Sequence, residues 1–274
     1  MKKLFALLMS AVMVIACFSA CGNNEPEVTD PDNAEVEKKT VVVGYTLYEP
    51  MNYKDENGEL IGFDTELAEA VFENLGYEVI FQLIDWTARY TDLSSGVIDC
   101  IWNGFTANSK DDDGIARSEK VDFSYNYMEN RQVIVVKTDS GIATAEDLNG
   151  LVGGVEGGSA GQTYAESFEG VTVKECDYQT TTLFELKSNT IDFAVVDAQL
   201  AKSYCGKGDY ADLMILEELS SEVEYYAIGF EKGSELTAQV NAQLEALAAD
   251  GTIAALAEKY GVATTAITDF SDQK

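Results

Sequence analysis

The chain has 274 residues, with 18 Lys and Arg against 48 Asp and Glu, a formal net charge of −30, and no histidine. Such a surface repels nucleic acid and anionic lipid, so no polyanion partner is expected. Without histidine there is no Ser/His/Asp or Cys/His nucleophile and no His-ligated zinc, which makes an enzyme the minority reading; no metal or other cofactor is expected.

The N-terminus opens with Lys2 and Lys3, then an apolar run from Leu4 to Phe18. That run falls short of the ~20 residues a membrane span needs and is built like a secretory signal. Phe18-Ser19-Ala20-Cys21 resembles a bacterial lipobox, in which the cysteine is lipidated and becomes the mature N-terminus. Val14-Ile15-Ala16-Cys17 fits the same pattern. Cys21 is preferred because polar Gly22-Asn23-Asn24 follows it directly. Residues 1–20 are thus read as a lipoprotein signal peptide and 21–39 as an acidic flexible tether, lacking apolar periodicity.

From Thr40 onward strands and helices alternate. "TVVVGYTL" reads as a buried strand, and Asn57-Gly58 as the turn of a hairpin. "DTELAEAVFENLG" reads as an amphipathic helix with Asp64 as N-cap and Gly76 as its stop. "YEVIFQLI", the short helix "TARYTDLSSG" and "VIDCIW" complete a βαβ succession, which implies a largely parallel sheet. A second succession runs through "LVGGVEGG", "SAGQTYAES", "VTVKECD", "TTTLFELKS" and "IDFAVVD". The halves echo each other, Leu93-Ser94-Ser95-Gly96-Val97-Ile98-Asp99 against Leu186-Lys187-Ser188-Asn189-Thr190-Ile191-Asp192. Each echo is a helix end, a Gly or Asn suited to a left-handed cap, and a buried strand. Two similar α/β lobes are expected. Two helices separated by Gly251 close the chain. Cys100 is expected as a buried thiol, whereas pairing of Cys176 with Cys205 stays open.

Four stretches, in order, resemble one family. "GFDTELAEAVFENLG", "VDFSYNY", "IDFAVVD" and "LEALAADGTIAALAEKYG" are similar to segments of the bacterial extracellular solute-binding proteins, family 3, the amino-acid ABC transporter substrate-binding lipoproteins. The chain departs from that pattern at Phe72, where a small residue is usual. The resemblance implies a two-lobed, type II periplasmic-binding-protein-like α/β fold with two crossing strands, near Val135–Thr138 and Tyr226–Phe230. Lobe 1 would be residues 40–136 plus 229–274, and lobe 2 residues 137–228. It also implies a monomer held to the bacterial cell membrane through a lipid anchor only. That protein would capture a free amino acid and deliver it to an ABC permease. A cyclic-carboxylate dehydratase with a carboxylate such as Glu49 or Glu156 in the cleft, or an extracellular amino-acid sensor, are the alternatives on the same fold.

The resemblance also assigns roles. Arg117, five residues before Asp122, stands where the family forks an arginine onto the ligand carboxylate. The preceding "ANSKDDDGIA" is longer than usual, and its aspartates are expected to be solvated. Asn103, Gly104 and Thr106 are expected beside that carboxylate. Gly158, Ser159 and Ala160, at a predicted helix N-terminus, would add N–H groups that favour an anion. Asp197, at a strand end, matches the ammonium-binding acid, and Tyr48 and Trp86 the aromatics flanking the ligand side chain. Read from the residues alone, Arg117 could equally be a loop charge, Asp197 a helix cap and the aromatics core. Relatives that bind basic ligands often carry an acid where this chain has Tyr45, so a cationic side chain is the less favoured ligand.

Overall fold

The computed structural model describes residues 39–111 and 113–273. The expected signal peptide, both candidate lipidation cysteines and the tether up to residue 38 lie outside the described residues. No helix among the described residues is long and apolar enough to cross a membrane.

The first half begins with β1 (Lys39–Tyr45), the hairpin β2 (Tyr53–Lys54) and β3 (Leu60–Ile61), and α1 (Phe63–Asn74). It continues through β4 (Tyr77–Leu83), α2 (Arg89–Ser94), β5 (Cys100–Ile101), α3 (Arg117–Lys120) and β6 (Asp122–Phe123). Then β7 (Met128–Asn130) leads to β8 (Gln132–Lys137). The second half holds β9 (Val152–Glu156), α4 (Ala160–Glu166), β10 (Thr172–Cys176), α5 (Gln179–Lys187), β11 (Phe193–Asp197), α6 (Ala198–Tyr204) and β12 (Leu213–Ser220). The chain returns through β13 (Glu224–Tyr226) and β14 (Gly229–Phe230) to α7 (Glu235–Ala249) and α8 (Thr252–Lys259).

Two five-stranded sheets result, ordered β4-β1-β5-β14-β6 and β10-β9-β11-β8-β12. In each, four strands run in one direction and a single strand, β14 or β8, runs against them, so the sheets are largely parallel in direction but contain two antiparallel pairings apiece. The echoed motifs occupy equivalent places. Gly96 and Asn189 both take left-handed conformations (φ 72° and 59°) after α2 and α5. Asp99 accepts the Val42 N–H of β1, and Asp192 the Val152 N–H of β9, through matching side-chain oxygens. Each acid also returns its own N–H to the carbonyl of the same residue.

Between the lobes, β7 pairs antiparallel with β13, Met128 opposite Tyr226, and Ala266 of the C-terminal segment bridges Met128. The crossings therefore lie at residues 128–130 and 224–226. Val135, expected at a crossing, instead pairs with Ala194 inside the second sheet. β8 is buried on both faces, with Val133 and Val135 on one side and Ile134 and Val136 on the other. A continuous apolar run of this kind looks the same in sequence whether it links lobes or sits within a sheet.

Asp64 is not the N-cap of α1. Gly62 holds that place at φ 135°, where a Cβ would lie 2.0 Å from the Met51 carbonyl oxygen. The first N–H groups of α1 donate to the carbonyls of Pro50 and Met51, so the helix needs no side-chain cap. Asp64 is thereby free to turn inward, toward the site described next. Cys100 is a buried thiol, and Cys176 and Cys205 are unpaired thiols.

Candidate functional site

A tight pocket of about 10 Å³ lies where the two sheets' strand ends meet, lined by Trp86, Asn103, Gly104, Thr106 and Arg117 from one lobe. Gln132, Glu156, Ser159, Ala160, Gln179 and Asp197 line it from the other. Glu156 and Asp197 end β9 and β11, while Asn103 to Thr106 follow β5, so side chains gather at the carboxyl ends of parallel strands. A larger cavity, about 190 Å³, involves Arg131, Gln199, Lys202 and Thr265 near the crossing strands. It brings together none of the charged residues of the strand ends.

The loop insertion delivers Arg117. A single antiparallel bridge between Lys110 and Ala116 closes a short hairpin, with Gly114 left-handed at its tip. This fold places Asp111 beneath the guanidinium. Asp111 Oδ1 accepts from Arg117 Nε at 2.9 Å and from Arg89 Nη2 at 2.7 Å, and Oδ2 accepts from Lys120 Nζ at 2.8 Å. Asp111 is 9% exposed, so the expectation of solvated aspartates fails there. Burial raises its pKa, but the Lys120 hydrogen bond and the charges of Arg117 and Arg89 outweigh that and hold it at about 2. For Arg117, 1% exposed, burial and the Arg89 charge lower the pKa while Asp111 opposes them. Asp111 thus keeps two neighbouring buried cations tolerable.

Arg117 Nη1 donates to the Thr106 carbonyl and Nη2 to the Gly158 carbonyl, each at 3.2 Å. The second bond ties the lobes together directly. A guanidinium has five N–H donors. Three are engaged here, leaving one N–H on each terminal nitrogen.

Asn103, Gly104 and Thr106 line the pocket, but their donors are largely committed. Asn103 exchanges hydrogen bonds with Thr46 and donates to Asn52 Oδ1. The Gly104 N–H donates to Asp64 Oδ2 at 2.8 Å, and Tyr127 donates to the same oxygen. Burial pushes Asp64 up to about 7. Gly104 is left-handed at φ 56°, and a Cβ there would lie 2.7 Å from Tyr48 Cε1. The Thr106 hydroxyl reaches toward Glu224 at 3.3 Å.

Asp197 occupies the N-cap position of α6 by backbone, but its side chain makes no capping bond. It turns into the pocket, where Asn130 and Gln132 donate to Oδ1 at 2.6 Å and Gln179 donates to Oδ2. Burial raises its pKa, and these amides lower it. At the facing turn, Ser159 caps α4 by accepting the Gln162 N–H, and the Gly158 N–H donates to Gln162 Oε1. The Ser159 N–H donates to the Glu156 carbonyl, so two of that turn's expected anion donors are used within the lobe, leaving the Ala160 N–H at the first position of α4.

Trp86 lines the pocket edge-on to Phe105, with Arg89 stacked 4.9 Å from its ring centre. Tyr48 stands one layer back, against Gly104, with its hydroxyl 2.7 Å from that of Tyr226. Gly158 does not line the pocket either, and reaches it only through the bond its carbonyl accepts from Arg117. Gln132, Gln179, Glu224 and Arg89 escaped the sequence reading. A lone glutamine at a strand or helix start carries no spacing signal, and Glu156 had only a generic carboxylate to offer.

Residues 41–263 match the family described as bacterial extracellular solute-binding proteins, family 3. The chain belongs to that family. The arginine-binding extracellular protein ArtP of Bacillus subtilis (strain 168) is 30% identical over 95% of this chain and 98% of its own. The L-cystine-binding protein TcyJ of Escherichia coli (strain K12) is 31% identical over 83% of this chain and 85% of its own. Among solved structures, an ancestral arginine-binding protein bound to arginine superposes with a TM-score of 0.73. It is 35% identical and covers 81% of this chain and 98% of that one. The two-lobed, type II binding-protein architecture is thus common to this solute-binding protein and its structural relatives, and the family binds solutes rather than transforming them.

Proposed function

We propose that this family 3 solute-binding protein captures one free amino acid between its lobes and delivers it to the permease of an ABC importer. The observation that carries this reading is the opposition of Arg117 and Asp197 across one buried pocket, each from a different lobe. Burying a zwitterion requires a partner for each of its charges. The free N–H groups of Arg117 suit the carboxylate, and the Ala160 N–H adds a donor. Asp197, fixed by three amides, suits the ammonium, whose full charge favours the ionised acid that burial disfavours. Trp86, with Tyr48 behind Gly104, bounds the space left for the side chain.

Because the two anchors sit on different lobes, a ligand bridging them favours the closed arrangement over an open one. Lobe 1 corresponds to the first sheet with α7 and α8, and lobe 2 to the second sheet, the crossing pair serving as hinge. Outside the cytoplasm, Cys21 would hold the monomer to the membrane through its lipid, with the acidic segment as tether. The relatives named for arginine and for cystine support an amino acid as cargo.

Calorimetry of the protein against a panel of free amino acids tests this reading. One ligand per chain is expected, with Arg117→Ala weakening it by about 2–5 kcal/mol, because the ligand charge is left unpaired. Silence across the panel, or full affinity in the variant, would overturn it.

A further inference from the structure

Once an amino acid's carboxylate and ammonium are matched to Arg117 and Asp197, the pocket still holds one acid without a counterpart. Glu156 ends β9 at the pocket wall and is 3% exposed. Its Oε1 is buried and has no hydrogen-bond partner. Such an atom loses its water and gains nothing in exchange unless a ligand supplies a donor.

The neighbouring charges do not supply one. Asp197 repels Glu156. Arg89 attracts it but makes no hydrogen bond to it: its Nη1 donates to the Trp86 carbonyl and its Nη2 to Asp111. Glu224, outside the pocket lining, is held by Gln132 and Asn130 and offers Glu156 no donor. Burial, then Asp197, push Glu156 up to about 8, against the smaller opposing effects of Arg89 and Gln179. A positive group arriving from the ligand would reverse that shift.

We infer that Glu156 is a specificity-determining residue that selects amino acids whose side chain carries a cationic N–H donor group, such as a guanidinium, ammonium or imidazolium. The inference rests on the amino-acid-capture reading and reverses the expectation drawn from Tyr45. That tyrosine is buried against Phe81 and does not line the pocket. The acid comes from the opposite lobe, on β9, where no comparison with position 45 would find it. A cation held by Glu156 also joins the lobes at a third point, so side-chain charge contributes to closure.

The test compares L-arginine with L-citrulline, its uncharged isostere, by calorimetry on the wild-type protein and on Glu156→Gln. Wild type is expected to bind arginine on the order of 30-fold more tightly than citrulline, the worth of a buried charge-assisted hydrogen bond. Glu156→Gln should bring the two ligands to within about threefold, mainly by losing arginine affinity, since an amide replaces the charge. Ligand-free melting curves check that the variant folds, and the wild-type comparison stands without it. Equal or better binding of citrulline by wild type, or an arginine preference that survives Glu156→Gln, would overturn the inference while leaving amino-acid capture intact. Failure to bind any amino acid would overturn both.

Discussion

Asp111 shows how one loop residue conditions a candidate site that it does not enter. It bridges Arg89, Arg117 and Lys120, and two of those cations are almost fully buried. Removing the anion would leave two guanidiniums facing each other away from water. Asp111→Ala should therefore cost about 3 kcal/mol of stability in urea unfolding, because an uncompensated buried charge is worse than either paired state. An unchanged midpoint would show that Asp111 is dispensable. The tip of the same hairpin offers a contrast: Asp113 is 49% exposed and shares only Lys120, so its replacement should leave stability nearly unaltered.

Helix α1 illustrates how backbone donors can release a side chain for other work. The carbonyls of Pro50 and Met51 occupy the place of a cap, which leaves Asp64 available to hold the "NGFT" turn through Gly104 and Tyr127. This close approach is possible only at a residue lacking Cβ. Gly62→Ala should destabilise the protein by about 3 kcal/mol, since the new methyl would overlap the Met51 carbonyl at an unfavourable φ. A melting curve identical to wild type would mean the segment can move aside at little cost. The paired Asp99 and Asp192 bonds to β1 and β9 show the same device used twice, once per lobe. Here the echoed sequence was informative because each acid serves its own adjacent strand, a local relation that repeats with the motif.

Taken as one body, the protein carries its buried acids against a formal charge of −30. Burial raises Asp64 to about 7, Glu156 to about 8 and Glu224 to about 7. In the folded state these groups hold protons that the unfolded chain, with carboxyls near 4, has released. Stability of the ligand-free protein should therefore fall as pH rises from about 4 to about 8, by at most about 1.4 kcal/mol per pH unit for each group titrating. Asp111 acts in the opposite sense: its pKa of about 2 gives stability that is present above pH 4 and lost as pH falls toward 2. The optimum is thus expected on the acid side of neutrality. Melting temperatures across pH 3 to 8, with Asp64→Asn flattening part of the slope, would check this. A melting temperature that climbs steadily from pH 5 to 8 would contradict it.

The order of elements, the hairpin at Asn57-Gly58, the left-handed ends at Gly96 and Asn189 and the strand-end position of Asp197 could all be read along the chain. Each depends on local periodicity or on one residue's backbone preference. The arginine, the acid and Trp86 were legible as members of one site only through family resemblance, because their spacing carries no geometry of its own. Tertiary structure decided the rest. It placed the crossings at 128–130 and 224–226, since a buried run such as "QVIVVK" has the same pattern in a link as in a sheet. It turned Asp111 inward by folding the insertion into a hairpin, and it drew Gln132, Glu156 and Gln179 together from three separate elements. Burial, pairing and the surplus of acid in the pocket arise from residues far apart in sequence, and they exist only once the two lobes meet.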